Sequence, residues 1–227
     1  TGTVVFSENG TSLGTVSLNG SGTATYTVSN PAAGSHTYAA EYSGQTGYYT
    51  GASMTHTISV GLADQTNFAI SDPGVKTYGD SGFTLTTTGG ESTGGVSFSV
   101  PSGNGVLTVA ADGTVKITGA GKVTVTAVKA ADSTYNQATA TREITVAPRD
   151  IADVTVNVTG NRVYTGSQLQ PVFEVKDGAL AITTGDYTNS YGSNVDAGTG
   201  AGSITLTGQR NYTGTKMVPF DIEKRPL

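Results

Sequence analysis

The chain has 227 residues, of which 91 are Gly, Thr or Ser, while Leu, Ile, Val and Phe together supply only 46. It carries no Cys, no Trp, 12 basic residues and a formal net charge of -5. Disulfide staples and thiolate metal sites are excluded, the bases are too few for a polybasic phosphate-binding surface, and no run of 18 apolar residues offers a membrane-spanning helix.

Period-2 alternation recurs along the chain, as strands with one buried face require. Ala24, Tyr26 and Val28 form the first set, followed by His36, Tyr38, Ala40 and Tyr42, and then by Met54, His56, Ile58 and Val60. Val96, Phe98 and Val100 come next, then Val123, Val125 and Ala127, then Val154, Val156 and Val158. Ile204 with Leu206 and Val218, Phe220 and Ile222 complete the series. The dipeptides Asn9-Gly10, Asn19-Gly20, Asn104-Gly105, Asp112-Gly113 and Asp177-Gly178 tolerate positive φ and can close tight hairpins. A short helical turn is expected near Ala130–Asp132, with no packed helix layer. Low hydrophobicity can also signal disorder, but the small net charge and regular alternation predict an all-β protein built as β-sandwiches.

Self-similarity sets the domain count. Tyr49-Thr50-Gly51, Tyr135-Asn136-Gln137 and Tyr212-Thr213-Gly214 each precede one last alternating strand, ending at Val60, Val146 and Ile222. Each last strand leads into a short joint: Gly61–Thr66 after the first, and a matching Pro/Arg stretch at Pro148-Arg149 and Arg225-Pro226 after the others. These marks divide the chain into residues 1–60, 61–147 and 148–227, with Leu227 opening a further repeat. Domain three has 61 residues from Ile151 to its tyrosine and domain one only 48, so the first is expected to lack one or two strands. No basic-then-apolar leader opens the chain, so an export signal is expected upstream or already removed.

Domain one contains Gly2-Thr3-Val4-Val5-Phe6, Ser12-Leu13-Gly14, Gly34-Ser35-His36-Thr37 and Tyr42-Ser43-Gly44. Domain two contains Lys76-Thr77-Tyr78-Gly79-Asp80, Asp112-Gly113-Thr114-Val115 and Gly119-Ala120-Gly121-Lys122-Val123. Domain three contains Tyr164-Thr165-Gly166-Ser167, Val175-Lys176-Asp177-Gly178 and Asn211-Tyr212-Thr213-Gly214. All three resemble tandem bacterial immunoglobulin-like repeats of large secreted or cell-surface, adhesin-type proteins, the second resembling group 2. The resemblance implies tandem immunoglobulin-like sandwiches in an elongated array, and an extracellular or bacterial cell-surface location. Asn189 departs from the family, which usually places an apolar residue there, between Tyr187 and Tyr191.

Candidate chemistry is sparse. His36 and His56 lie on neighbouring strands, but a hairpin register puts His56 opposite Tyr38, and Glu8 and Glu41 are the only acids nearby. Both read as sheet histidines rather than metal ligands. Asp186, Asn189, Asn194 and Asp196, or Asp64, Asp72 and Asp80, carry oxygens suited to calcium; ordinary turn capping is the competing reading. No other cofactor is expected. No nucleophile elbow or convergent acid pair marks an enzyme. Tyr49, Tyr135 and Tyr212 read as a structural tyrosine motif comparable to a sandwich tyrosine corner. Adjacent strand residues face opposite ways, so Tyr48 is the candidate for ligand contact.

The functional expectation is a non-catalytic spacer or stalk segment of a large bacterial surface protein that contributes to adhesion. The alternatives are an adhesive module for host glycoprotein or polysaccharide, and a segment that assembles by strand complementation. Expected partners are neighbouring repeats of the same protein and a host glycan or protein, with neither nucleic acid nor direct membrane insertion.

Overall fold

The computed structural model describes residues 2–226 and is all-β. Leu227, read above as the start of a further repeat, lies outside the described residues. The chain forms two compact units. One comprises the chain up to Phe68 with Gly89–Gly95 and Lys129–Ala138; the other comprises Ala69–Thr88, Val96–Val128 and the chain from Thr139.

The first unit contains β1 (Thr3–Glu8), β2 (Thr11–Ser17), β3 (Gly34–Tyr42) and β4 (Ala52–Val60), an antiparallel sheet in the order β2, β1, β3, β4. Asn9 and Gly10 both take positive φ, 51° and 84°, and reverse Glu8 onto Thr11. Two consecutive residues of that kind match the strand twist of a two-residue hairpin. Cross-strand partners share a face, so Phe6, Tyr38, Ala40, Met54 and Ile58 line one side.

Residues 24–28 lie over that side but form no strand, contrary to their alternation. Tyr26 stacks on Phe6 with ring centroids 5.7 Å apart and donates its hydroxyl to the Leu13 carbonyl at 2.9 Å. The side chains alternate as a strand demands, but the backbone has no ladder partner.

The same unit anchors residues 62–68. Ala63 bridges Tyr135 in parallel, donating to the Thr134 carbonyl at 2.9 Å and accepting from the Asn136 N–H at 2.8 Å. The helical turn expected near Ala130–Asp132 is absent. Asp132 Oδ1 instead accepts the N–H groups of Thr134 and Tyr135, and Oδ2 accepts that of Thr93. Such side-chain capping competes with helical backbone bonding.

The second unit begins with β5 (Ala69–Ile70), β6 (Lys76–Thr77), β7 (Phe83–Thr84), β8 (Thr87–Thr88), β9 (Val96–Ser99), β10 (Leu107–Val109), β11 (Thr114–Ile117), β12 (Gly121–Lys129) and β13 (Ala138–Ala147). One sheet runs β6, β13, β12, β9, a second runs β10, β11, β7, and β5 pairs with β8. Val123, Val125 and Ala127 on β12 and Ile144 and Val146 on β13 are buried with Leu85, Phe98, Leu107 and Val115.

The chain continues through β14 (Arg149–Asp150), a 3-10 turn at Ile151–Asp153, β15 (Thr155–Val158), β16 (Phe173–Asp177), β17 (Leu180–Ala181), β18 (Tyr187–Tyr191), β19 (Gly198–Gly208), β20 (Tyr212–Thr213) and β21 (Thr215–Ile222). Asp150 caps the 3-10 turn by accepting the Ala152 N–H at 2.9 Å. Sheets β15-β16-β17 and β18-β19-β21 enclose a core centred on Ile151, Val154, Ile204, Leu206, Tyr212 and Ile222. Asn189 stands opposite Leu206 in an unbroken β18–β19 register, with its side chain exposed.

Candidate functional site

A set of polar contacts between residues distant in sequence lies in the second unit, around the Pro148-Arg149 joint. Arg149 and Asp150 pair in parallel with Tyr212 and Thr213. This pairing repeats the bridge between Ala63 and Tyr135, so two of the three tyrosine motifs receive an entering segment in the same way.

Tyr212 is 2% exposed. Its ring meets Tyr78 edge-on at 5.6 Å, and its hydroxyl donates to Asp177 Oδ2 at 2.9 Å. Burial and the Asp177 carboxylate push the Tyr212 phenol well above its ordinary range. Burial, with Asp186 and Asp177 nearby, also raises that of Tyr78. Arg149 reaches the other Asp177 oxygen at 3.4 Å, while its buried Nε has no hydrogen-bond partner.

Asn211 bonds in two directions. Its Oδ1 accepts the Ala120 N–H at 2.8 Å, and its Nδ2 donates to Asp186 at 3.2 Å. Gly119 is required beside it, because an added Cβ would lie 2.3 Å from the Gly105 carbonyl oxygen. Loop 119–120, the joint and the loop before β20 are therefore tied together by side chains already committed to structural bonds. This arrangement can hold a joint; it presents no nucleophile with an adjacent base.

Tyr49, Tyr135 and Tyr212 occupy different environments. Tyr49 is 69% exposed, Tyr135 is half-buried and Tyr212 lies in a core. Tyr48 is 79% exposed. The Tyr49 backbone bridges Gln45 across a tight turn, rather than meeting an entering segment.

His56 stands opposite Tyr38, as the hairpin register predicts. His36 is buried, with Nδ1 on the Glu8 carboxylate and Nε2 at 2.6 Å from the Ala32 carbonyl. The Glu8 bond, then that to Ala32, raises the His36 pKa above 6.5.

The oxygens weighed for calcium are dispersed among turns. Asn194 is buried and bonds only backbone, at Leu169 and Ser203. Asp72 caps Gly74 and pairs with Arg142, Asp80 caps Thr77, and Asp64 accepts from Asn136. Among the described residues, no three His, Asp or Glu side chains cluster as metal ligands.

In the sequence, Asn211 stands beside the tyrosine motif. Its position directly before Tyr212, together with the Arg149 joint, was the available signal. Its partner, Ala120, carries no side-chain signature.

In the second unit, sheets packed over a common core give an immunoglobulin-like β-sandwich fold. Residues 1–61 match the family model of the bacterial Ig-like domain (group 3). No curated protein matches the chain by sequence. Among solved structures, the surface layer protein SbsC (domains 1-6) is 18% identical with a TM-score of 0.30; the match covers 99% of this chain and 35% of that one. Mouse cadherin-23 is 12% identical with a TM-score of 0.31, over 84% of this chain and 74% of that one. Drosophila N-cadherin is also 12% identical, with a TM-score of 0.32, over 85% and 57% respectively. The chain thus spans about a third of the SbsC structure it matches.

Proposed function

We propose that the chain is a non-catalytic spacer segment of a large bacterial extracellular surface protein, built from three Ig-like repeats at residues 1–60, 61–147 and 148–227. The carrying observation is the joint in the second unit. Ala120 N–H on Asn211 and the Tyr78–Tyr212 ring contact connect segments on either side of Pro148. A spacer has to resist bending at its joints, and polar groups consumed in mutual bonds serve that purpose. The group 3 match of residues 1–61 and the recurring entry bridges at Ala63 and Arg149 support the repeat reading.

Nuclear spin relaxation of the full chain tests this. Residues 69–128 and 150–222 should report one shared rotational diffusion tensor. Independent tumbling of the two segments would overturn the joint as a spacer element.

The exposed Tyr48 and Tyr49 pair, with Met54 75% exposed, favours a second reading as an adhesive module. Exposed aromatic rings are suited to stacking on sugars or anchoring a protein partner. A glycan array and a host-matrix screen separate the readings. Saturable binding lost in Tyr48→Ala supports adhesion, and silence in both leaves the spacer.

A further inference from the structure

The first sheet has almost no core. Val4 is its one buried apolar side chain, whereas the third set of sheets buries eleven residues in a single cluster. Every position of β4 from Ala52 to Ser59 is exposed, although the residues alternate as those of a half-buried strand. β4 is also an edge of its sheet.

The chain contains two strands equivalent to β4 by their spacing from the tyrosine motif. Val146 lies 11 residues after Tyr135, Glu223 lies 11 after Tyr212, and Val60 lies 11 after Tyr49. At the first two, the outer edge is occupied. Lys76 and Thr77 pair in parallel with Val146 and Ala147, and Val163 pairs in parallel with Glu223. In each case a tyrosine N–H closes the contact: Tyr78 donates to the Ala147 carbonyl and Tyr164 to the Glu223 carbonyl, both at 2.8 Å. The entering strand has a common pattern, with a basic residue two positions before the tyrosine: Lys76 before Tyr78 and Arg162 before Tyr164. At Val60 no ladder or bridge on that side is formed among the described residues.

We infer that the open edge of β4 is a strand-acceptor site for the entering strand of an Ig-like repeat, bound parallel to β4 in register with Val60 and Gly61. The recognised chemistry is an extended segment with a basic residue two positions before a tyrosine. Three features select this occupant. Parallel pairing is the geometry used at both equivalent edges. Residues 1–60 contain two acids, Glu8 and Glu41, and no Lys or Arg, so a basic strand is complementary in charge. A second copy meeting β4 across a two-fold axis would pair antiparallel, a register that neither equivalent edge uses.

The probe is a synthetic peptide of residues 69–88, which carries the entering strand and its flanks. It is added to the full 227-residue chain beside a scrambled control, and amide exchange is followed by NMR. At about ten times its Kd the peptide should slow exchange in Ala52–Val60 by about ten-fold. Because the protein has no Cys, nitroxides on Cys added to either peptide end report direction. A label at the amino end should broaden Met54–Ile58, and one at the carboxyl end should broaden residues beyond Gly61. No binding, unchanged β4 exchange, or the reversed labelling pattern would overturn the inference. So would concentration-dependent protection of β4 without peptide, together with dimer in sedimentation, since a second copy would then own the edge.

Discussion

Ala120 and Asn211, 91 residues apart in sequence, are joined by a 2.8 Å hydrogen bond from the Ala120 N–H to the Asn211 side-chain oxygen. The bond ties a loop next to β12 to the loop before β20, directly beside the Arg149–Tyr212 pairing. A backbone donor held in this way resists relative rotation of the segments it joins, because loss of its acceptor strands a partly buried N–H.

Asn211→Ala should destabilise the second unit by about 1–2 kcal/mol. It should also broaden the unfolding transition, as the segments before and after Pro148 lose coupling. Urea titration followed by NMR of both segments checks this. Asn211→Asp keeps the acceptor for Ala120 but sets a second carboxylate against Asp186, so it should restore only part of the coupling.

Tyr212→Phe removes the hydroxyl bond to Asp177 but keeps the ring, and should cost about 1–2 kcal/mol. Tyr212→Ala empties a core position and should cost about 3–5 kcal/mol. Calorimetry distinguishes the two. The Tyr212 phenol is raised in the fold, so the unfolded chain ionises first as pH climbs past 10. Stability should therefore decline above pH 10, and Tyr212→Phe should lack that part of the decline.

His36 carries a pH dependence of its own in the first unit. Its pKa is raised chiefly by Glu8, so its contribution is complete below 6.5, the unfolded value, and is lost as pH rises through the higher folded value. Amide exchange within β1–β3 should accelerate from pH 6.5 upward, after correction for intrinsic base catalysis. His36→Gln should flatten that extra acceleration.

Asp132 works in the opposite sense. Three backbone N–H donors, from Thr93, Thr134 and Tyr135, hold its carboxyl down at about 2. Its contribution is present above 3.8 and is lost as pH falls through the folded value. Between pH 4 and pH 2 the Thr93, Thr134 and Tyr135 amides should lose protection together. Asp132→Ala should show that loss already at neutral pH.

Much of this molecule was legible before folding was considered. The alternations at His36–Tyr42, Met54–Val60 and Val123–Ala127 correspond to β3, β4 and β12, because side-chain period follows directly from strand geometry. Asn9-Gly10 and Asp112-Gly113 close hairpins, because few other residue pairs accept their backbone angles. The placement of His56 opposite Tyr38 followed from the same arithmetic. The joint was less accessible. Its signal was a Pro/Arg repeat, but the partners Ala120, in a loop, and Asp177, at the end of β16, come from remote parts of the chain.

What the sequence determined by itself is the all-β class, the positions of strands such as β3, β4, β12 and β21, and the spacing of the three tyrosines. What only the tertiary structure decided is which backbones find partners. Ala24, Tyr26 and Val28 alternate as strand residues yet have no ladder, and Tyr49 and Tyr212 share a motif but differ in exposure by 69% against 2%. Alternation depends on each residue's own geometry, whereas a ladder or a buried ring depends on a second segment arriving from far along the chain. The Gly, Thr and Ser excess fixes where strands and turns lie, and the long-range pairings of Ala63, Arg149 and Val163 fix which of those strands enclose a core.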